Sequence, residues 1–283
     1  MVKGFSKLSK NAKIEWLIDN YFNGDVGARE TLENYWHSNE KLQKLHDEFI
    51  ENTVTNFYLP MGVAPNFLIN GKEYAVPMVT EESSVVAAAA KSAGFWADKG
   101  GFKATVKSTT KIGHVHFLWK GQDKKALAEF VEGIQDKFYT ETEGITKNMR
   151  NRGGGILGIE LVDKTVDVPH YYQLEAEFET CDSMGANFIN SCLEKFADVL
   201  KAGISQTSLS PNEVEIVMCI LSNFTPKCIV RVEVSCPIQQ MVEGTEMSAE
   251  AFAERFATAV RIAETQPYRA VTHNKGIMNG IDS

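Results

Sequence analysis

Four short stretches concentrate residue types that can do chemistry. The first, Val76-Pro-Met-Val-Thr-Glu-Glu-Ser-Ser84, ends an extended run and opens a helical one. Glu81 and Glu82 suit two roles there. They can cap a helix N-terminus, where the dipole stabilises a carboxylate, or one can transfer a proton, which would need burial to raise its pKa against that dipole. The second stretch, Asp182-Ser-Met-Gly-Ala-Asn187, opens another helical run. Gly185 permits close approach of a ligand to the backbone, and free N–H groups of a first helical turn can face a phosphate or an amide. Asp182 equally fits a plain N-cap. The third, Arg152-Gly-Gly-Gly155, stands before a strand and suits either a close cofactor approach or a flexible start to the strand. It is not a GxGxxG opening a helix, so it gives little support to a Rossmann site. The fourth, Pro267 to Asp282, crowds Arg269, His273, Asn274, Lys275 and Asn279 among glycines. That run is too polar for a core element and too rich in specific hydrogen-bonding groups for a spacer. An ammonium such as Lys275 suits an oxyanion formed when hydride attacks a carbonyl.

These residues need elements to hold them. Residues 9–50 read as helical, with Ile14, Leu17, Ile18 and Tyr21 at helix spacing after a cap at Ser9, and a second helix over about 38–54. Asn66 to Asn70 and Lys72 to Val79 read as two extended runs around an Asn70-Gly71 hairpin turn. A helix over Ser83 to Ala97 follows, closed by Gly100-Gly101. The middle of the chain then reads as strand Gly113–Trp119, helix 123–138, strands Gly155–Asp163 and His170–Thr180, helix 185–202 and strand Glu213–Leu221. That β-α-β-β-α-β order is the ferredoxin-like pattern. Strand Ile229–Ser235 and a helix over 248–264 come after it. The fold class expected is α+β: a large helical and mixed domain, 1–108 and 222–283, interrupted by a ferredoxin-like small domain, 109–221.

Composition narrows the function. The 283 residues suffice for two domains with cores, and a net charge of −8 argues against a nucleic-acid binder relying on a broad basic field. No run of 18 or more apolar residues exists to span a membrane, and no signal peptide is expected from the opening residues. The five cysteines, Cys181, Cys192, Cys219, Cys228 and Cys236, lack metal-type spacing and read as reduced buried thiols of a cytoplasmic protein. His114 and His116 read as strand residues and His37 and His46 as helix-surface residues, with no metal expected.

Taken together, the stretches resemble the HMG-CoA reductase family (3-hydroxy-3-methylglutaryl-coenzyme A reductase), in its soluble bacterial class II form. The resemblance is carried in family order by Glu51-Asn52, Pro65-Asn-Phe-Leu-Ile-Asn-Gly71, Val76-Pro-Met-Val-Thr-Glu-Glu82, Asp182-Ser-Met-Gly-Ala-Asn187, Ile220-Leu-Ser-Asn223 and Tyr268-Arg-Ala-Val-Thr-His-Asn-Lys-Gly-Ile-Met-Asn-Gly280. It implies reduction of the HMG-CoA thioester by two hydrides from NADH or NADPH, giving mevalonate and free coenzyme A. It implies that Glu82 is the catalytic proton donor and Lys275 the catalytic cation on the oxyanion. Ser84, Arg269 and Asn279 match substrate-binding positions. Asp182, Met184, Gly185 and Asn187 match the dinucleotide-binding DxMGxN segment, and Asn223 an asparagine near the nicotinamide. A homodimer or higher homo-oligomer with the active site at its interface is implied too.

The sequence departs from the family in four places. Ser83 stands where the family usually has Pro after the glutamate, Thr55 where the interface turn has Gly, and Gly158 where an acidic residue is common. The family's catalytic aspartate and the histidine that protonates the departing thiolate lie beyond the position of Ser283. On that count the chain as it stands is expected to be inactive or severely impaired. The alternative expectation is a non-catalytic module that binds coenzyme A or dinucleotide.

Overall fold

The computed structural model describes residues 2–209, 214–242 and 244–283, and mixes helices with antiparallel sheets. The chain divides into two compact units, one made of Met1–Phe102 with Val234–Ser283 and the other of Lys103–Glu233. The inserted unit is wider than 109–221 because its two ends pair with each other. Strand β3 (Lys103–Thr109) and strand β8 (Cys228–Glu233) form an antiparallel ribbon.

In the first unit, α1 (Lys10–Tyr21) starts at Ser9, whose side chain accepts from the Ala12 N–H, and buries Ile14 and Ile18. Two short helices follow, α2 (Val26–Glu33) and α3 (Glu40–Asp47). The helix expected over 38–54 therefore stops at Asp47. Asn52 takes a left-handed φ of 61°, and Thr53 turns its hydroxyl onto the Ile50 carbonyl at 2.9 Å, so local side-chain bonding replaces the last turns. His37 precedes α3 rather than lying on it.

Strands β1 (Met61–Ile69) and β2 (Lys72–Val79) form the hairpin, with Asn70 and Gly71 at φ 50° and 81°, the left-handed pair that a tight two-residue turn needs. β1 begins at Met61, ahead of the expected Asn66, because a bulge between Ala64 and Phe67 lets pairing resume on the far side. Helix α4 (Val85–Ala97) lies on β1, with Val86 against Gly62 and Ala93 fully buried. The unit closes with α9 (Ile238–Met241), α10 (Ala249–Thr265) and α11 (Pro267–Asp282).

The second unit carries the larger core. Its elements are β4 (Lys111–Trp119), α5 (Lys124–Gly133), α6 (Gln135–Glu141), α7 (Glu143–Asn151), β5 (Gly155–Asp163), β6 (Tyr171–Glu179), α8 (Ala186–Ile204) and β7 (Val214–Leu221). The helix expected over 123–138 breaks at Ile134, where φ −105° and ψ 6° interrupt the spiral behind Gly133. A third helix, α7, fills the connection to β5. Glu213, expected to start β7, lies outside the described residues.

The four-strand sheet runs in the order β5-β6-β4-β7 with every neighbour antiparallel. Period-two alternation puts Val115, Phe117 and Trp119 of β4 and Leu174 and Phe178 of β6 on one face. There they meet Leu127 and Val131 of α5 and Ile189, Leu193 and Phe196 of α8, all buried. His114 and His116 take the other face of β4, with His114 Nε2 at 3.1 Å from Glu175 and His116 Nδ1 at 2.6 Å from the Tyr171 hydroxyl.

Of the five cysteines, only Cys192 is buried, and that burial pushes its thiol up to about 12. Cys228 is exposed and the other three are half-buried, which corrects the expectation of buried thiols. Among the described residues no helix is long and apolar enough to cross a membrane, and no group of three or more His, Cys, Asp and Glu side chains could hold a metal ion.

Candidate active site

In the first unit the chain brings together residues almost two hundred positions apart. β2 ends at Val79, whose N–H donates to the Ser283 carbonyl at 3.0 Å, so the far end of α11 is tied to the end of the hairpin. The turn from Thr80 to Ser84 then carries Glu82, whose own N–H donates to the Thr80 hydroxyl at 3.2 Å. On α11, Lys275 and Asn279 are four residues apart and share a face. Both donate to one oxygen, Glu82 Oε2: the Lys275 ammonium in a short ion pair and Asn279 Nδ2 at 2.7 Å.

This settles what Glu82 does locally. Ser84, at φ 74°, is the cap position of α4 and no side chain caps the helix, so the Glu82 carboxylate faces α11 instead of capping α4. The Lys275 hydrogen bond, then the Asn279 hydrogen bond, then the charge of Lys275 hold its pKa below the usual carboxylate value. Burial acts in the raising direction and is the weakest of these causes, because the Glu82 side chain is 46% exposed and that of Lys275 60%. The buried, raised acid that a proton donor calls for is absent from this state of the site.

The sign follows for titration. A carboxyl whose folded pKa is depressed gains from its pairing above the ordinary value of 4.5 and loses that gain as pH falls through the lower folded value. We expect carboxyl NMR to find Glu82 titrating below the ordinary glutamate value. Asn279→Ala should move it part of the way back and Lys275→Ala further, since Lys275 supplies both a hydrogen bond and a charge. An unmoved titration in Lys275→Ala would contradict the pairing.

The remaining expected substrate residues are not part of this cluster. The Ser84 side chain is exposed and makes no cap hydrogen bond. Arg269 sits on another face of α11, where it lines a groove of about 440 Å³ against α10 with Phe256, Ala263, His273 and Ile277.

In the second unit, the ends of β6 and β7 and the starts of β4 and β5 lie at one edge of the sheet, because the strands alternate in direction. The loop from Cys181 to Gly185 leaves β6 at this edge and opens α8. Asp182, Met184 and Asn187 are exposed. Asp182 does not cap the helix: the cap position is Gly185 at φ 81°, without any side-chain hydrogen bond. The first-turn N–H groups of α8 are thus left for solvent or a ligand. Asn190, one turn on, accepts from the Leu221 N–H at 3.0 Å, which holds the Ser222-Asn223 segment beside the start of α8. Asn223 is exposed.

Sequence reasoning missed Lys111 and Thr180. Lys111 Nζ donates to Thr180 Oγ1 at 2.6 Å and to the Ser183 carbonyl at 2.8 Å, so it shapes the loop from the neighbouring strand. An isolated lysine before a strand gives no signal of a contact 72 residues away. The glycine triplet has a packing reason of its own: a Cβ on Gly154 would stand 2.4 Å from the Glu179 carbonyl oxygen.

Comparison with known proteins gives a consistent result. The family model for hydroxymethylglutaryl-coenzyme A reductase matches residues 21–283. The reductase of Archaeoglobus fulgidus is 30% identical over 100% of this chain and 60% of its own length. A probable reductase of Borreliella burgdorferi is 28% identical over 99% of this chain and 61% of its own. The chain therefore spans about three fifths of the length of these curated relatives. Among solved structures, the class II reductase of Streptococcus pneumoniae bound to NADPH in open conformations superposes with a TM-score of 0.74. It is 31% identical, over 99% of this chain and 72% of that one.

Proposed function

This chain belongs to the hydroxymethylglutaryl-coenzyme A reductase family, and from that premise we propose that it takes part in reducing the HMG-CoA thioester to mevalonate and free coenzyme A. The observation that carries the reading is the convergence of Lys275 and Asn279 on Glu82 Oε2.

A thioester carbonyl gains negative charge on oxygen as its carbon is reduced. Lys275 is the cation placed to receive that charge. When the substrate oxygen takes the ammonium, Glu82 loses the partner that depresses its pKa. Its affinity for a proton then rises at the stage where the oxygen needs one. Asn279 holds the carboxylate in place through this exchange and can turn its amide to the substrate. Ser84 and Arg269 belong to the same reading as contacts to the hydroxymethylglutaryl part, brought in when substrate fills the site.

The exposure of Glu82 and Lys275 supports a homodimer or higher homo-oligomer that covers this face, since excluding water strengthens every interaction there.

The same reading gives the second unit to a nicotinamide dinucleotide. Gly185, the uncapped start of α8 and Asn223 at the same edge fit its pyrophosphate and amide groups. Asp182, Met184 and Asn187 flank that start. The bound dinucleotide supplies the reducing equivalents, two molecules for each thioester taken to the alcohol. The strand order β5-β6-β4-β7 with helices on one face supports a ferredoxin-like fold for this unit. The reaction is proposed for the cytoplasm.

The test is stoichiometric. With HMG-CoA and NADPH or NADH, the complete protein should release one coenzyme A thiol for every two dinucleotides oxidised. A ratio of one, or oxidation without thiol release, overturns the reading. Dinucleotide binding with no thiol release favours a binding module instead.

A further inference from the structure

Strand β4 opens at Lys111, opposite Phe178 of β6 and two residues short of Thr180. From there the Lys111 ammonium reaches the loop ahead of α8, donating to Thr180 Oγ1 at 2.6 Å and to the Ser183 carbonyl at 2.8 Å. The Thr180 hydroxyl donates to the same carbonyl at 2.7 Å. Ser183 turns its own donors back on the loop: its N–H and its hydroxyl both reach the Thr180 carbonyl, at 3.1 and 2.8 Å. The Ser183 carbonyl therefore accepts two hydrogen bonds, one of them from a charged donor on a different strand.

A trans peptide points its C=O and its N–H in opposite directions. Holding the Ser183 carbonyl inward, against the fully buried Thr180, turns the Met184 N–H outward. Among the described residues that N–H has no acceptor, and Met184 is 59% exposed. It stands directly ahead of Gly185, the uncapped cap position of α8. The peptide plane that Lys111 fixes thus adds a donor to the free N–H groups of the first helical turn. A hydrogen bond from an ammonium is about twice as strong as a neutral one. Removing Lys111 takes away the stronger of the two holds on that plane and leaves only the Thr180 hydroxyl.

We infer that Lys111 is a positioning residue for dinucleotide binding: it holds the Ser183 carbonyl so that the Met184 N–H faces the ligand, and does not touch the ligand itself. The inference rests on the dinucleotide reading of the unit 103–233. It adds a residue outside the loop on which the affinity of the loop depends. Two other roles make different predictions for Lys111, a brace for the fold alone and a cation in direct contact with the phosphates.

Calorimetry and steady-state kinetics on the complete protein separate the three. Lys111→Met should weaken NADPH and NADH binding about tenfold or more, the usual loss with a charge-assisted hydrogen bond. The loss should appear in the dinucleotide KM rather than in kcat, with coenzyme A affinity retained. Lys111→Arg should recover part of it. Thr180→Val acts on the same carbonyl, so its loss and that of Lys111→Met should not add. A brace alone predicts a lower unfolding midpoint with unchanged dinucleotide affinity. A direct phosphate contact predicts additive losses, and a Lys111→Met effect that shrinks as salt rises. Either pattern overturns the inference. Should Lys111→Met fail to fold, the unaltered protein labelled with 15N-methionine decides. NADPH should shift the Met184 amide signal and slow its hydrogen exchange, and an unmoved Met184 amide in the NADPH complex overturns the inference while leaving the dinucleotide site standing. If neither NADPH nor NADH binds the unaltered protein, the dinucleotide reading falls and the inference with it.

Discussion

Replacing Lys275 by alanine is expected to lower kcat by about 10²–10³-fold, the usual cost of removing a donor aimed at a developing oxyanion. The loss should fall on kcat more than on KM, because the charge that Lys275 meets appears only as the carbonyl is reduced. Glu82→Gln should lose nearly all turnover as well, since glutamine keeps the shape and hydrogen bonds of the site but cannot carry the proton. Dinucleotide affinity should survive both changes, because that ligand is assigned to the other unit. The measurement is steady-state turnover in the complete protein with calorimetric dinucleotide binding beside it. A structural role for the pair predicts a different pattern. The ion pair is exposed, and exposed pairs contribute little to folding. A merely structural pair would therefore leave turnover near that of the unaltered protein. Wild-type-like rates in either variant would refute the roles given to Glu82 and Lys275.

How far the sequence leads can be judged element by element. Asn70-Gly71, the apolar stripe of α8 and the alternation of β4 are all legible, because each is a local pattern with one physical meaning. Helix α11 is different. Gly276 and Gly280 lower its helix propensity and its polar face gives no stripe, so it read as a concentration of functional groups without a secondary structure. Its one local signal was Pro267 at the first helical position. The break at Ile134 and the early end of α3 turn on single backbone conformations that periodicity does not register.

The site divides in the same way. The residues alone left Glu82 between capping and chemistry, and the resemblance tipped the expectation. The structure removes the capping role by giving α4 an uncapped start and turning the carboxylate to α11. The pKa direction could not be foreseen from the stretch itself, since the cation and amide that depress it arrive from 193 and 197 residues away. Lys111 was invisible for the same reason. Gly185 was legible as a close-approach position, but the neighbour that makes it necessary was not.

That neighbour gives the second large effect, in Gly185→Val. The position has φ 81° and ψ 10°, a left-handed conformation that costs a non-glycine residue about 1–2 kcal/mol, with a β-branched side chain among the worst fits. An added Cβ would also stand 2.5 Å from Thr180 Cγ2, and Thr180 is fully buried. Thr180 has no easy way to yield. Its hydroxyl donates to the Ser183 carbonyl at 2.7 Å and accepts from Lys111 at 2.6 Å, so moving it dismantles the loop. Overpacking of this kind adds about 1–3 kcal/mol. The expected result is a lower unfolding midpoint and a more than tenfold weaker dinucleotide affinity, as the first turn of α8 shifts away from the ligand. Thr180→Ser added to Gly185→Ala offers a graded check. Serine lacks the methyl that clashes but keeps the hydroxyl network, so this pair should recover part of the stability lost in Gly185→Ala while the cost of the backbone conformation remains. If Gly185→Val melts and binds like the unaltered chain, the start of α8 is not held as described, and the dinucleotide cannot depend on it.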